Sequence, residues 1–261
     1  MKIDTIIVRD IEMRYARFGR GQKNLVIIPG LSFKPVTDSA EAVAVSYESF
    51  AEAYTIWLFD VRSNAPCEYS IEDMANDTVE IMKYLGIELA DFFGASMGGM
   101  IVQYIGLNYP DLVNRMILAS SMCRNNETSY ATLGRWRELA AVGKLEELVE
   151  LCVDDMYSEA TLRNYRDILI EANSGISDRQ ITEFISRIDA VHEFDISNQL
   201  ATIKCPVLVM GSEGDRVLGS QASKEIAAQL NCELYMYPDS FSHCVYDEAP
   251  DFKNRVHAFL D

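Results

Sequence analysis

A serine lies between two glycines in the segment Gly94-Ala95-Ser96-Met97-Gly98. This spacing matches the Gly-x-Ser-x-Gly pattern of a nucleophile elbow, in which the serine occupies a sharp turn between a strand and a helix. The apolar pair Phe92-Phe93 predicts the strand, and Gly99 to Tyr104 predicts the helix. This context disfavours the alternative of a glycine-rich turn with an incidental serine. Ser96 is therefore the candidate nucleophile.

A serine hydroxyl is a weak nucleophile until a base removes its proton, so the pattern calls for a histidine. The chain has three. His257 belongs to an amphipathic terminal helix, which favours a structural role, and His192 belongs to a long helical segment, which favours a pocket-lining or exposed position. His243 follows the last predicted strand, where a loop can carry it over the carboxyl edge of a sheet. We expect His243 to be the general base.

An acidic side chain must orient this histidine, and beside a nucleophile elbow it is expected between the serine and the histidine in chain order. Asp215 meets this condition, because it lies in the loop that follows the predicted strand Val207 to Met210. Glu213 lies in the same loop and is the rival. Asp239, near His243 in sequence, is expected to cap a turn. The sequence favours Asp215 and leaves Glu213 open.

Carbonyl chemistry also needs two backbone N–H groups that stabilise the oxyanion. One comes from the residue after the nucleophile, which is Met97. The other comes from the loop after the third strand, which Pro29-Gly30-Leu31 occupies, so Leu31 is the second predicted donor. The alternative is that Pro29-Gly30 is only a turn.

Apolar segments and amphipathic segments alternate on both sides of these residues. The segments Ile3 to Val8 and Glu12 to Phe18 predict an opening hairpin. Further strands are predicted at Leu25 to Ile28, Thr55 to Phe59, Val113 to Ala119, Val207 to Gly211 and Glu233 to Met236. Helices are predicted from the capping-box variant Ser70-Ile-Glu-Asp73 to Gly86, and at Met100 to Asn108, Ser220 to Leu230 and Pro250 to Leu260. Such alternation indicates a mostly parallel sheet with right-handed crossovers.

The alternation stops after Ser120, and apolar residues up to Leu200 recur only at helical spacings. We predict that residues 121–200 form an inserted all-helical cap, and that residues 1–120 and 201–261 form the catalytic core. A mixture of aromatic and basic cap residues predicts a partly apolar pocket: Tyr130, Trp136, Tyr157, Tyr165, Arg124, Arg135 and Arg163.

Composition and charge exclude several classes of function. Hydrophobic residues make up 49% and charged residues 24%, which is too apolar for a disordered chain. Forty acidic against twenty-three basic residues give a net charge of -17. This field repels nucleic acid and anionic lipid, so we expect neither as a partner. It also weakly disfavours polyanionic substrates, although an arginine beside the site would override it at short range.

The segment Met1 to Asp10 carries Asp4, Arg9 and Asp10 and lacks the apolar core of a signal peptide. No apolar run reaches the roughly 18 residues of a membrane span. The six cysteines are scattered without a Cys-x-x-Cys pair, which suits reduced thiols and predicts neither a disulfide framework nor a zinc site. We expect a cytoplasmic protein that acts on a small molecule and binds no membrane. The oligomeric state is left open.

The stretch Phe93 to Gln103, together with Asn108 to Ala119, resembles esterases, enol-lactonases and meta-cleavage C–C bond hydrolases of the α/β-hydrolase superfamily. The resemblance covers nearly the whole chain and is weakest in the cap. It implies the α/β-hydrolase fold, an eight-stranded sheet with a helical cap over Ser96, and no metal or organic cofactor. Haloalkane dehalogenases and epoxide hydrolases are excluded as those families work, because they carry an aspartate where Ser96 stands.

Two loops depart from the superfamily pattern. The usual His-Gly of the oxyanion loop is Pro29-Gly30 here, and the usual Asp-x-Arg-Gly-x-Gly loop is Asp60-Val-Arg-Ser-Asn-Ala-Pro66. Both loops border the expected site, so the departures bear on the donor geometry and the substrate class and leave the expected fold intact.

The expected activity is hydrolysis of a small carboxylic ester or lactone through an acyl-enzyme on Ser96. C–C bond hydrolysis, thioester hydrolysis and acyl transfer would use the same residues, and the cap would decide among them. A ligand receptor on a hydrolase scaffold is the alternative outside enzymes. None of the expected catalytic residues is missing, so nothing in the sequence favours a receptor.

Overall fold

Eight apolar segments form the strands that position the candidate site. The computed structural model describes residues 1–261. Its strands are β1 (Lys2–Val8), β2 (Ile11–Gly19), β3 (Lys23–Ile28), β4 (Tyr54–Phe59), β5 (Ala90–Ala95), β6 (Val113–Ala119), β7 (Val207–Ser212) and β8 (Glu233–Tyr237). They form one sheet in the order β1-β2-β4-β3-β5-β6-β7-β8. The first hairpin and the β2–β4 pair are antiparallel, and every other pair is parallel. The predicted fold class, a mostly parallel eight-stranded sheet flanked by helices, is confirmed.

The chain forms ten α-helices. They are α1 (Ala40–Ser46), α2 (Ile71–Tyr84), α3 (Met97–Asn108), α4 (Glu127–Ala141), α5 (Leu145–Met156), α6 (Glu159–Asn173), α7 (Asp178–His192), α8 (Ser220–Leu230), α9 (Val245–Glu248) and α10 (Phe252–Leu260). The predicted capping box at Ser70 and Asp73 starts α2. No helix combines the length and the apolar surface that crossing a membrane requires.

Some helix bounds differ from those predicted. Helix α3 begins at Met97, directly after the elbow serine, and not at Met100. Helix α1 was not predicted, because it buries only Ala40 and so carries no apolar period of a helix. The single-turn helix α9 was also not predicted, and α10 begins at Phe252, two residues after the predicted start.

Each central strand buries side chains on both faces of the sheet. In β3, Val26 and Ile28 join one core, while Leu25 and Ile27 join the other. The first core receives the apolar faces of α2, α3 and α8, and the second receives that of α10. Burial on both faces explains why these strands read as continuous apolar runs.

Helices α4 to α7 follow one another between β6 and β7 without an intervening strand. The two ends of this insertion meet, because Ile196 N donates to the Cys123 carbonyl oxygen at 2.9 Å. Asn126 caps α4 and also donates to the Leu218 carbonyl oxygen at 2.8 Å. This bond ties the start of the inserted helices to the loop that carries Asp215.

Candidate active site

Ser96 occupies the turn between β5 and α3 with a strained backbone. Its φ of 52° and ψ of -121° lie in a backbone region that residues other than glycine rarely adopt. The chain holds it there by two bonds, since Ser96 N donates to Ala119 O at 2.8 Å and Ser121 Oγ donates to Ser96 O at 2.9 Å. The turn projects the serine from the carboxyl edge of the sheet.

The two glycines of the elbow are required by close backbone approach. A Cβ atom at Gly98 would lie 2.1 Å from the Ile28 carbonyl oxygen, and one at Gly94 would lie 2.6 Å from the Gly98 carbonyl oxygen. Real Cβ atoms do not approach backbone this closely. Helix α3 can therefore start against the end of β3 only because both positions lack a side chain.

His243 lies beside Asp215, and both side chains are 3% exposed. His243 Nδ1 lies 3.0 Å from Asp215 Oδ1 and 2.9 Å from Oδ2. Asp215 Oδ1 also accepts hydrogen bonds from the backbone N–H groups of Val217 at 2.8 Å and Leu218 at 3.0 Å. Burial alone would raise the pKa of Asp215, but the histidine and these hydrogen bonds together lower it below 3.8. Asp215 is therefore held as a carboxylate against the imidazole.

The structure does not bring the rival acid to His243. Glu213 is exposed and forms an ion pair with Lys224, with Nζ to Oε2 at 2.7 Å. The other two histidines also lie outside the site. His257 stacks on Phe50 with ring centroids 3.6 Å apart, and His192 packs beside Tyr130 at 5.1 Å.

Ser96 and His243 line one small cavity of about 30 Å³. No hydrogen bond joins the two side chains in this structure. Most of the wall is apolar, and the inserted helices supply part of it through Leu133 and Trp136 of α4 and Val191 of α7. The inserted helices thus form part of the wall of the cavity that Ser96 lines.

The two predicted oxyanion donors line the same cavity. Met97 is the first residue of α3, so its N–H group has no partner within the helix. Leu31 follows Gly30, whose missing Cβ would lie 3.0 Å from Ser96 Cβ. The loop after β3 therefore lies directly against the nucleophile, and the structure brings Leu31, Met97 and Ser96 together.

A larger and mainly apolar cavity of about 400 Å³ adjoins this one and shares Leu31, Trp136, Met156 and Tyr246 with it. Of the cap residues named from the sequence, only Trp136 and Tyr157 line the two cavities.

The expectation that the other aromatic and basic cap residues shape the pocket is wrong. Tyr130 and Tyr165 are exposed. Arg124 pairs with Glu225 at 2.7 Å, Arg135 lies 3.5 Å from Asp155, and Arg163 is exposed. Arg124 precedes α4 and the other four lie on α4 or α6 with their side chains exposed, which composition alone does not reveal.

Sequence reasoning did not name several of the residues that surround Ser96. Leu133, Met156 and Val191 line its cavity, but at helical spacing such residues look like ordinary core. Ser121, two residues after the end of β6, donates a hydrogen bond to the elbow, and no sequence pattern around it indicates this role. No group of three or more His, Cys, Asp or Glu side chains is placed to hold a metal ion.

The eight-stranded sheet, the strained serine after β5 and the His–Asp pair at the same edge define an α/β hydrolase. The family model described as serine aminopeptidase, S33 matches residues 69–249. The chain belongs to this family of α/β-hydrolase enzymes, and the predicted superfamily is confirmed.

Curated relatives match most of the chain at low identity. It is 22% identical to 3-oxoadipate enol-lactonase 2 of Acinetobacter baylyi over 222 residues, which are 82% of this chain and 80% of the relative. It is 26% identical to a putative carbamate hydrolase RutD of Rhizobium rhizogenes over 247 residues, 91% of this chain and 92% of the relative. Among solved structures, the α/β hydrolase MGS-M2 from a Medee basin deep-sea metagenome library superposes with a TM-score of 0.88 at 21% identity, over 98% of this chain and 97% of that one.

Proposed function

We propose that the chain is a serine hydrolase that cleaves a small carboxylic ester or lactone through a triad of Ser96, His243 and Asp215. The observation that carries the proposal is the buried contact of Asp215 with His243 Nδ1, beside a cavity that His243 shares with Ser96. Since Nδ1 faces the carboxylate, Nε2 is the ring nitrogen available to the serine.

In the proposed reaction, His243 removes the proton of Ser96 as Oγ attacks the carbonyl carbon. The carbonyl oxygen becomes an oxyanion, which accepts hydrogen bonds from the N–H groups of Leu31 and Met97. Collapse breaks the bond to the leaving alcohol, which takes the proton from His243, and leaves an acyl group on Ser96. Water activated by His243 then releases the carboxylic acid. Asp215 holds the ring orientation and stabilises the imidazolium in both steps.

We further propose that residues 121–200 act as a cap that selects small substrates. Support comes from the walls of the two cavities, because Trp136 lines both and Met156, at the end of α5, lines both. A bound substrate would displace water from this mainly apolar space, which would strengthen the hydrogen bonds to the oxyanion. The limited space around Ser96 favours a compact ester or lactone as the substrate.

The relatives support attack at an activated carbonyl. One is named an enol-lactonase and another a putative carbamate hydrolase, and the second aligns over more of the chain. Carbamate hydrolysis is therefore a second candidate, since the same serine, base and oxyanion donors would act on a carbamate carbonyl.

A fluorophosphonate probe tests the nucleophile. We expect covalent labelling of the native protein at Ser96 and none in Ser96→Ala. Ser39→Ala is the matched control, because Ser39 lines the larger cavity but lies outside the elbow, and it should label like the native chain. Folded native protein that takes no label would contradict the proposal and favour the receptor alternative.

A substrate panel then separates the candidate reactions. It would compare p-nitrophenyl esters of graded chain length with lactones, thioesters and an aryl carbamate under one set of conditions. We expect the highest kcat/KM for a short ester or a lactone, and the activity should be absent in Ser96→Ala. A higher kcat/KM for the carbamate would replace the first proposal with the second.

A further inference from the structure

A third cavity, polar and of about 260 Å³, lies next to the cavity of Ser96. Gly30 and Met97 line both this cavity and the cavity of Ser96. The two cavities therefore adjoin beside Met97, one of the proposed oxyanion donors. The wall opposite comes from α7 of the inserted helices and from the strand β2. Substrate bound at Ser96 therefore has this polar space within reach of one of its ends.

The side chains that line this cavity include more basic than acidic residues, unlike the chain as a whole. Four basic side chains line it: Arg14, Lys34, Arg179 and Arg187. Three acidic side chains line it: Glu12, Asp60 and Glu183. The lining thus carries four positive and three negative charges, and Asp38, which does not line the cavity, pairs with Arg14 at 2.9 Å, so the local charge is close to balanced in a chain whose net charge is -17.

Two of the three carboxylates accept hydrogen bonds from neutral groups of neighbouring segments. Asp60 accepts hydrogen bonds from Val36 N at 2.6 Å and from Thr37 Oγ1 at 2.5 Å. Glu12 accepts one from Ser63 Oγ at 3.0 Å. Glu183 contacts both Arg179 and Arg187, and Asp60 attracts Arg187 from a longer distance without a direct contact. Arg14 is paired with Asp38 at 2.9 Å, and Lys34 Nζ donates to the Ala172 carbonyl oxygen at 2.9 Å. Arg187 is therefore the buried cation of this cavity with the weakest direct pairing, since its one carboxylate contact, with Glu183, is 3.3 Å long.

Arg187 is the cation of this cavity best placed to bind a further anion. Its side chain is only 14% exposed, and it makes two long contacts, with Ser32 O at 3.3 Å and Glu183 Oε2 at 3.3 Å. A guanidinium has five N–H donors, so most of them are unused. Burial lowers the pKa of Arg187, which shows the cost of desolvating a weakly paired cation. A second, well-placed acceptor offsets that cost.

We propose that this cavity binds a carboxylate of the substrate, with Arg187 as its principal ligand. The inference rests on the proposed function and narrows its substrate class to esters or lactones that carry a free carboxylate. A planar guanidinium matches a carboxylate with two parallel hydrogen bonds. At this range the arginine outweighs the negative field of the chain, because distant surface charges are screened over about 8 to 10 Å.

Binding can be measured apart from turnover by titrating glutarate into Ser96→Ala in a calorimeter. We expect Arg187→Gln in that background to weaken the affinity about 10- to 100-fold, the effect of losing a charge-assisted hydrogen bond. Arg163→Gln is the charge-matched control, because Arg163 is exposed on α6 outside every cavity described above, and it should leave the affinity unchanged. Equal weakening by both variants, or tighter binding of inorganic phosphate than of glutarate, would overturn the carboxylate assignment.

Kinetics with matched substrates separate this inference from the proposed function. On the acyl side, mono-4-nitrophenyl glutarate is compared with 4-nitrophenyl pentanoate. On the alcohol side, 4-acetoxybutanoate is compared with butyl acetate. Within each pair the chain length is equal, and only one member carries a carboxylate.

We expect the anionic member of at least one pair to have the higher kcat/KM, and Arg187→Gln to abolish that preference mainly through KM. Glu183→Gln should strengthen the preference, since it removes the carboxylate that competes for Arg187. Loss of all turnover in Ser96→Ala together with no anionic preference in the native chain would keep the proposed function and overturn this inference. Glutarate binding that depends on Arg187, without Ser96-dependent turnover, would do the reverse.

Discussion

Asp215 meets His243 with both carboxylate oxygens, at 3.0 and 2.9 Å from Nδ1, while neither side chain is more than 3% exposed. The N–H groups of Val217 and Leu218 fix the carboxylate from the other side. The N–H groups hold the carboxylate, and the carboxylate in turn holds the ring. The tautomer and the orientation of His243 therefore depend on one acidic residue. Replacing that residue is therefore the most direct way to probe the triad.

Asp215→Asn should lower kcat by roughly 10⁴ with little change in KM, the scale seen for the triad aspartate of another fold. The amide keeps the shape but removes the charge that stabilises the imidazolium. Initial rates on the best ester at about pH 8 measure this.

Glu213→Gln is the matched control from the same loop. Glu213 pairs with Lys224 at the surface, so its loss should cost less than about tenfold in kcat. A mild effect of Asp215→Asn beside a severe effect of Glu213→Gln would reverse the assignment of the acid.

The lowered pKa of Asp215 also predicts how stability depends on pH. Because the carboxyl loses its proton more readily in the folded chain, its contribution to the free energy of unfolding is complete above the ordinary value of 3.8. The contribution disappears as the pH falls through the lower, folded-state pKa. Urea unfolding at a series of pH values should therefore show a steeper loss of stability toward about pH 3 in the native chain than in Asp215→Asn. Parallel curves for the two proteins would contradict this.

Much of the site could be predicted because it depends on local geometry and on chain order. The elbow at Ser96 needs glycines at fixed neighbouring positions, and these are visible as letters. A histidine after the last strand reaches the same sheet edge in any parallel α/β sheet, so His243 could be chosen from three candidates. The choice between Asp215 and Glu213 needed the structure, because only the direction of each side chain separates them.

The polar cavity could not have been predicted. Arg187 lines it because α7 packs against the loop after β3, a contact between residues far apart in the chain. On the sequence it is one more charged residue of an amphipathic helix. Arg124, Arg135 and Arg163 looked equally suitable, but they face outward. Which arginine faces the site depends on the packing of the inserted helices, and no local pattern reports that.

Replacement by alanine should have opposite effects on stability at Gly98 and at Gly134. Gly98→Ala would place Cβ 2.1 Å from Ile28 O, so the start of α3 or the end of β3 must move. We expect this variant to lower the free energy of unfolding by about 3 kcal/mol or more. Gly134 lies within α4 and has nothing within 4 Å of its missing Cβ. Gly134→Ala should raise stability by about 0.5 to 1 kcal/mol, because alanine is the better helix former. Urea unfolding of both variants measures this, and equal effects would refute the role given to Gly98.

The six cysteines should differ sharply in their reactivity with Ellman's reagent. Cys67 alone is exposed, whereas Cys123, Cys152 and Cys244 are buried. Burial also raises the pKa of the half-buried Cys205 and Cys232 thiols to about 11. At about pH 8 only about one thousandth of such a thiol is the reactive thiolate.

We therefore expect one thiol to react rapidly in the native protein and all six after unfolding in guanidinium chloride. Cys67→Ser should remove the rapid phase and leave the total in the unfolded protein lower by one. A rapid phase that persists in Cys67→Ser would show that the segments around Cys205 or Cys232 open readily in solution. Because Cys244 directly follows His243 and is fully buried, its slow reaction also reports whether the loop that carries the proposed base stays closed.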